Sequence, residues 1–330
     1  MPNVDGGEFA ERTEPFRREL LAHCYRMLGS VDDAEDLVQE TYLRAWRSYG
    51  GFEGRSSVRT WLYQIATNAC LTALQQRGRR PLPSGLGAPG ADAPPAGSET
   101  AWLEPIPDAL VTGEPGDPAA IAVTRDSLRL ALIASFQYLP PRQRAVVILR
   151  DVLAWPAADV AVMLGTTTTA VKSTLQRARA RLEQVAPSAD RVGEPSGPEA
   201  RALLGQYIAA FENSDAAALE RLLRRDATLE LPPSAAWFAG GDAIAGAVAG
   251  LGSPGDWRMV PVAANGQPGA AAYLRGADGV YRAYGIVVLT VTSRGIARIV
   301  VFGDPGLFGA FGLPPTRPAG RAPAAVPAGR

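Results

Sequence analysis

Gly29 to Leu74, GSVDDAEDLVQETYLRAWRSYGGFEGRSSVRTWLYQIATNACLTAL, holds two helical patterns of opposite chemistry, and the rest of the chain is read outward from it. In the first, Ser30 with Asp33 three residues later reads as a capping box, and Ala34, Leu37, Val38, Thr41, Ala45 and Trp46 recur at helical spacing as one buried face. The remaining positions place Asp32, Asp33, Glu35, Asp36 and Glu40 near the positive helix start with no base among them. Such a surface suits a basic or dipolar protein partner. The second pattern opens after a Gly-rich turn with Arg55, Ser56, Ser57 and Arg59, and its apolar positions are Trp61, Leu62, Ile65, Ala66, Ala69, Cys70 and Leu74. Its other face carries Arg59, Tyr63, Gln64, Thr67 and Asn68, followed by Arg77, Arg79 and Arg80. Rings and amides between arginines suit single-stranded nucleic acid, because bases stack on rings while guanidinium groups hold phosphates. Taken alone, the pattern fits an amphipathic helix with a solvated face equally well.

The strings DDAEDLVQETYLRAW and FEGRSSVRTWLYQIATNACL resemble region two of the extracytoplasmic-function sigma factors of bacterial RNA polymerase. The resemblance implies that the acidic helix docks on the clamp helices of core polymerase through Asp36, Gln39, Glu40 and Leu43. It also implies that the loop and helix after it trap a flipped base of the melted minus-ten element, at Phe52, Arg55, Arg59, Trp61 and Asn68. Trp61 suits the core as well.

At 330 residues the chain has room for two or three domains. Its zero net charge hides a segregation: Leu139 to Leu182 holds Arg142, Arg144, Arg150, Lys172, Arg177, Arg179 and Arg181 against only Asp151 and Asp159, a local nucleic-acid footprint. Cys24 and Cys70 lie on apolar helix faces outside any CxxC spacing, and read as small buried hydrophobes in a reducing compartment; no disulfide, metal or cofactor is expected. The first twenty residues are too charged for a signal peptide, and no run of about eighteen apolar residues occurs. The expectation is a soluble cytoplasmic protein with no membrane partner.

Residues 8–80 form the all-α region-two bundle, its first helix running from Glu8 to Leu28 with Phe9, Phe16, Leu20, Cys24 and Leu28 inward. His23, the only histidine, reads as structural. Residues 81–117 form a Pro/Gly-rich linker, in which Trp102 to Leu110 stands out because Trp102, Leu103, Ile106 and Leu110 are expensive to leave in water; docking onto a neighbouring domain is expected. Residues 118–186 hold helices at Pro118 to Gln137 and Pro141 to Leu153, then a helix-turn-helix: Ala157 to Leu164, a turn at Gly165, and Thr167 to Leu182 with Val171, Leu175, Ala178 and Leu182 buried. Lys172, Ser173, Gln176, Arg177 and Arg179 face outward, side chains suited to base edges and phosphates in a major groove. A basic solvated helix would look the same. The preceding LPPRQRAVVILRDVLAW resembles region four of the same sigma factors, which implies a grip on the minus-thirty-five element and on the polymerase flap. Thr174 and Gln176 stand where many relatives carry an arginine and an aromatic, so the preferred promoter is not carried over.

After a second linker, 187–198, residues 199–312 read as an α+β domain: helices at Glu199 to Glu212, Ala216 to Leu223 and Asp242 to Leu251, and strands at Thr228 to Leu231, Trp257 to Ala263, Ala270 to Leu274, Tyr281 to Thr290 and Ile296 to Phe302. Residues 201–244 resemble the start of a SnoaL-like domain, a cone known from polyketide cyclases and related isomerases. Such cyclases commonly use an acid/base pair, often Asp with His. This domain has no histidine, and Asp226, Glu230 and Asp242 remain as possible carboxylate bases; a regulator is expected here and not an enzyme. Tyr207, Trp237, Phe238, Trp257, Tyr273 and Tyr284 are expected to line the cone. Trp237 and Phe238 are paired with Trp102 and Leu103 as the interdomain docking residues, and the cone is left open to a small-molecule ligand. Residues 313–330 are expected to be a disordered tail. The whole reads as a sigma factor with a built-in regulator; a helix-turn-helix repressor, or a cyclase- or isomerase-like enzyme fused to a DNA-binding module, remain as alternatives.

Overall fold

The computed structural model describes residues 6–54, 56–76, 78–90, 100–112, 124–185 and 197–318, so the expectations placed on Arg55, Arg77, the second linker up to residue 196 and the tail beyond 318 lie outside it. Two compact units are present. The first comprises Met1–Val192 with Ser234–Ala236 and Ala263–Gln267; the second comprises Gly193–Pro233, Trp237–Val262 and Pro268–Arg330.

The first unit begins with α1 (Gly6–Thr13), α2 (Arg17–Leu28), α3 (Val31–Ser48) and α4 (Val58–Gln76). The helix expected from Glu8 is broken by a 3-10 turn at Glu14–Phe16, where Pro15 has no amide hydrogen to continue the α pattern. Leu20, Cys24 and Leu28 of α2 are buried, as are Ala34, Val38 and Ala45 of α3 and Leu62, Ala66 and Cys70 of α4. Trp46, expected in that core, is 39 % exposed and stands edge-on to Phe9 at 5.2 Å. Both cysteines are free and buried.

Helix α2 stops at Gly29, whose positive φ of 74° and amide bond to the Tyr25 carbonyl (2.7 Å) form a left-handed cap. A Cβ at Gly29 would also sit 2.7 Å from Leu103 Cδ1, so the glycine ends the helix and admits the interregion segment at once. That segment runs through the fully buried Leu103 and Ile106 into α5 (Asp108–Val111). Then come α6 (Leu130–Phe136), α7 (Pro141–Val147) with a π-helical turn at Ile148–Val152, α8 (Ala157–Met163) and α9 (Thr168–Val185). The helix expected over 118–137 is helical at 124–126, breaks, and resumes as α6. At the break the Leu128 carbonyl accepts from Asn265 Nδ2 (2.7 Å) and the Leu130 amide donates to Gln267 Oε1 (3.0 Å), so side chains satisfy the backbone groups that a continuous helix would have paired.

The second unit is α+β, as expected. Helices α10 (Gly197–Glu212), α11 (Ala216–Leu222) and α12 (Gly241–Ala249) accompany strands β1 (Leu223–Glu230), β2 (Trp237–Ala239), β3 (Trp257–Ala264), β4 (Gln267–Arg275), β5 (Tyr281–Thr292), β6 (Gly295–Phe302) and β7 (Thr316–Arg317). The sheet order is β2-β1-β6-β5-β4-β3, with β1 and β6 parallel and β7 on β5. Leu204 and Tyr207 of α10, Leu219 of α11 and Ile244 of α12 close over Leu229, Met259, Val287, Leu289 and Ile299 of the sheet. Residues 313–317, expected to be disordered, are built in: Tyr273 Oη donates to the Pro314 carbonyl (3.0 Å), the Ala283 amide to the Pro315 carbonyl (2.8 Å), and Thr316 and Arg317 pair with Arg282 and Tyr281. The physical reason is the start of β5, whose pairing with β6 begins only at Ile286; the 315–317 segment occupies the edge left open.

Candidate functional site

The acidic helix α3 starts as its sequence requires, with Ser30 Oγ accepting from the Asp33 amide at 3.2 Å. Asp33 belongs to the framework: its carboxylate takes Arg80 at 2.7 Å, while Arg80 also reaches Glu104 Oε1 (3.2 Å) and the Trp102 carbonyl (2.9 Å). Glu104 Oε2 in turn accepts from the Val31 amide at 3.1 Å, and burial raises the carboxyl's pKa. Asp36, Gln39, Glu40 and Leu43 are spaced i, i+3, i+4 and i+7, one helix face. Asp36 and Gln39 are exposed, Glu40 holds Arg44 one turn on (2.7 Å), and Leu43 is 51 % exposed. A large apolar side chain among carboxylates on an open helix face is the composition of a protein contact surface.

On α4 the nucleic-acid residues are divided. Phe52 and Trp61 are half-buried and in tilted ring contact (centroids 4.8 Å apart), with Tyr49 parallel to Phe52 at 6.4 Å. Arg59 makes a fork with Glu19 (2.8 to 3.0 Å), and its guanidinium lies 4.6 Å from the ring centre of Trp155. Asn68 is exposed at its residue surface, with Nδ2 pointing to the Met163 carbonyl at 3.4 Å. Tyr63 and Thr67, expected on the outward face, are fully buried. The correction has a specific cause: Thr67 Oγ1 pairs with His23 Nε2 at 2.9 Å, and Tyr63 packs between His23 and Trp155, donating to Glu19 at 3.3 Å. Burial, and then Arg26, push the His23 pKa down to about 3, so the imidazole is neutral. Glu19 and Trp155 were not foreseen as neighbours of the α4 face; they lie 40 residues before and 96 after Arg59, beyond the reach of helical periodicity.

The helix-turn-helix forms as read. Gly165 takes φ of 59° in the turn, Thr167 Oγ1 accepts from the Ala170 amide (3.1 Å), and Val171, Leu175 and Ala178 are buried. Lys172, Gln176 and Arg177 are exposed, and Arg177 donates to Thr174 Oγ1 at 3.1 Å. Ser173 is half-buried and donates to the Ala170 carbonyl; Arg179 is clasped by Asp151 through two bonds of 2.6 and 2.8 Å. Among the described residues, Arg179 is the one of these five that a carboxylate holds, while Lys172, Gln176 and Arg177 are exposed without one.

The 103–108 segment is held from four sides within the first unit. Leu103 N–H donates to the Pro81 carbonyl (3.2 Å), Glu104 N–H to the Gly29 carbonyl (3.0 Å), and Tyr25 Oη to the Glu104 carbonyl (2.7 Å). Asn265, fully buried, accepts from the Ile106 amide (3.0 Å) through Oδ1, while its Nδ2 bonds both Tyr25 Oη and the Leu128 carbonyl at 2.7 Å. The Gly266 amide donates to Asp108 Oδ1 (2.7 Å), and Pro107 forms a bridge with Ala264. Leu103, expected to bury itself against another domain, is thus buried in the first unit against the Gly29 cap. Asn265 was not foreseen, although Asn265-Gly266 is a turn dipeptide in the sequence, and Asn265 takes a left-handed φ of 57°.

In the second unit Trp237 and Phe238 lie half-buried on β2, Phe238 against the core. A cavity is lined by Tyr207, Trp257 and Tyr284; Trp237, Phe238 and Tyr273, expected there too, are elsewhere. Tyr273 stands edge-on to Phe308, because strand alternation sends it to the opposite sheet face. Asp226 is exposed and forked by Arg224 (2.6 and 2.8 Å), which lowers its pKa; Asp242 is exposed; Glu230 is buried with Arg298 nearby at 3.7 Å. None of these carboxylates lines the cavity. Among the described residues there is no cluster of His, Cys, Asp or Glu that could hold a metal ion, and no helix long and apolar enough to cross a membrane.

Comparison with known proteins agrees with this division. Residues 13–80 match the model of sigma-70 region 2, and residues 129–182 that of sigma-70 region 4. The chain is 53 % identical over 317 residues to the ECF RNA polymerase sigma factor SigG of Mycobacterium tuberculosis, covering 93 % of this chain and 84 % of that protein. It is 30 % identical over 293 residues to SigJ of the same organism, covering 85 % and 86 % of the two chains. The crystal structure of that extracytoplasmic function sigma factor superposes with a TM-score of 0.61 at 26 % identity, over 93 % of this chain and 99 % of that one.

Proposed function

The chain belongs to the extracytoplasmic-function sigma factors of RNA polymerase, and from that premise we propose how its residues divide the work. Asp36, Gln39, Glu40 and Leu43 dock on the clamp helices of core polymerase. The observation that carries this is the contrast along α3: Asp33 is spent on Arg80 inside the framework, while Asp36 and Gln39 are open to solvent and Leu43 is half exposed beside them. Lys172, Ser173, Gln176, Arg177 and Arg179 meet the minus-thirty-five element, with the region-four helices also on the flap, and Phe52, Arg55, Arg59, Trp61 and Asn68 hold the melted minus-ten strand. Arg59 and Asn68 are engaged by Trp155 and Met163, so promoter melting requires α8 and the Trp155 turn to leave α4.

The α+β domain acts as a built-in regulator through the interregion segment Trp102–Leu110, with Trp237 and Phe238 on its side, and not as a catalyst. Asn265 and Gln267, more than 150 residues beyond that segment, supply hydrogen bonds to Ile106 and Leu130. The candidate carboxylates are ion-paired or exposed and stand apart from the cavity, which favours binding over acid–base chemistry. A small molecule in that cavity is the natural input to such a regulator.

Run-off transcription with purified core polymerase tests the reading. The full chain should support initiation, Asp36→Ala/Glu40→Ala should weaken core binding about tenfold while staying folded, and Asn265→Ala should change output without touching either contact surface. Core binding undiminished in the double variant would refute the docking assignment; unchanged output with Asn265→Ala would refute the regulatory one.

A further inference from the structure

The cavity of the second unit encloses about 80 Å³. Leucine, valine and isoleucine side chains of β1, β5 and β6 form one wall, and the rings of Tyr207, Phe211 and Trp257 form another. Trp257 is fixed, its Nε1–H donating to the Leu251 carbonyl at 2.8 Å, and Phe211 and Tyr284 both stand edge-on to it, at 5.5 and 5.0 Å. Leu251 and Tyr284 are 46 % and 42 % exposed, so the cavity has a mouth at which side chains are free to move.

Two phenols line it, Tyr284 at the mouth and Tyr207 buried inside. Tyr25, Tyr63, Tyr207 and Tyr273 are the fully buried tyrosines. Tyr25 donates to the Glu104 carbonyl, Tyr63 to Glu19 and Tyr273 to the Pro314 carbonyl. The Tyr207 hydroxyl has no hydrogen-bond partner among the described residues, and burial alone raises its pKa. No Asp, Glu, Lys, Arg or His lines the cavity. A charged guest would be desolvated without compensation.

We propose that this cavity binds a small neutral molecule, one ring or a short carbon chain, bearing a single oxygen that accepts a hydrogen bond from Tyr207. The inference deepens the regulatory reading by naming the chemical class of its input. Tyr207 is the polar anchor; the aromatic and aliphatic walls supply non-directional affinity. The phenol is a hydrogen-bond donor, and no carboxylate or imidazole lines the cavity to act as a base on the guest.

The test is a saturation-transfer NMR titration of the full-length protein with cyclohexanone, and with methylcyclohexane as the probe that lacks the oxygen. Cyclohexanone should bind about fivefold more tightly, the worth of one neutral hydrogen bond. Tyr207→Phe, which removes only the hydroxyl, should erase that difference and leave methylcyclohexane unaffected. Ala272→Leu, placed to fill the cavity, should abolish both. Absence of binding by either probe overturns the proposal, as does cyclohexanone binding that is indifferent to both substitutions, or a preference for tetramethylammonium over the neutral probes. Run-off transcription, measured separately with and without cyclohexanone, keeps the two readings apart. Binding that leaves transcription unchanged upholds the site and fails the regulator; no binding alongside normal transcription fails the site alone.

Discussion

Asn265→Ala is the perturbation whose size the structure fixes best. The side chain is fully buried and makes three hydrogen bonds, two donated at 2.7 Å to Tyr25 Oη and the Leu128 carbonyl and one accepted at 3.0 Å from the Ile106 amide. Three such bonds contribute about 1 kcal/mol each, and two backbone groups are left without their side-chain partner, so a loss of about 3–4 kcal/mol is expected. The backbone adds to this in the alanine variant, because Asn265 sits at φ of 57° and alanine there costs a further amount of about 1–2 kcal/mol. Asn265→Gly separates the two: it accepts the positive φ without strain and should still lose about 3 kcal/mol. The assay is amide hydrogen exchange on the full chain. Ile106 N–H should exchange about a hundredfold faster or more in both variants, while the Asp33 amide, capped by Ser30, should be unchanged and serves as an internal reference. Exchange at Ile106 within about threefold of the parent protein would refute the claim that Asn265 holds the interregion segment. A glycine variant much milder than the alanine one would assign the effect to backbone strain instead.

Asp36→Ala/Glu40→Ala should weaken binding to core polymerase by about tenfold while costing the helix only about 0.3–0.5 kcal/mol through loss of the Glu40–Arg44 pair; thermal unfolding beside a core-binding titration checks both. Arg177→Ala should reduce the salt slope of promoter binding by about one unit if the side chain meets a phosphate, whereas Arg179→Ala should change it less, because Asp151 already neutralises that guanidinium. His23 makes stability depend on pH. Its folded pKa lies well below the unfolded value near 6.5, so the unfolded chain gains a proton that the folded chain refuses, and stability is complete above about pH 6.5 and lost as pH falls towards 3. At pH 5 the loss is about 2 kcal/mol, and His23→Asn should flatten that part of a urea-denaturation series.

The helices of the first unit were legible because their signals are local. Ser30 with Asp33, the apolar spacing of Ala34, Val38 and Ala45, and glycines at 29 and 165 each act within one or two turns. The same holds for the α3 patch, since Asp36, Gln39, Glu40 and Leu43 share a face by periodicity alone. What stayed hidden was pairing at long range. Nothing near Arg59 announces Glu19 or Trp155, and nothing near Arg179 singles out Asp151, 28 residues earlier. Tyr63 and Thr67 were placed outward because polar atoms on a helix usually meet water, but His23 and Glu19 satisfy them inside. Trp237 and Tyr273 were assigned to the cone on ring count, whereas strand alternation sends successive residues to opposite faces. The short strand at Thr316–Arg317 has no apolar run of its own; it forms because β5 leaves an edge open.

The central claim is that this chain initiates transcription with core RNA polymerase. The most direct measurement is run-off transcription of a template carrying the protein's own upstream promoter, with core polymerase alone, core plus the full chain, and core plus the Asp36→Ala/Glu40→Ala variant. The account expects a discrete transcript only when the full chain is added, and a transcript reduced about tenfold with the variant. DNA binding by the chain without core, and no transcript in any lane, would contradict it.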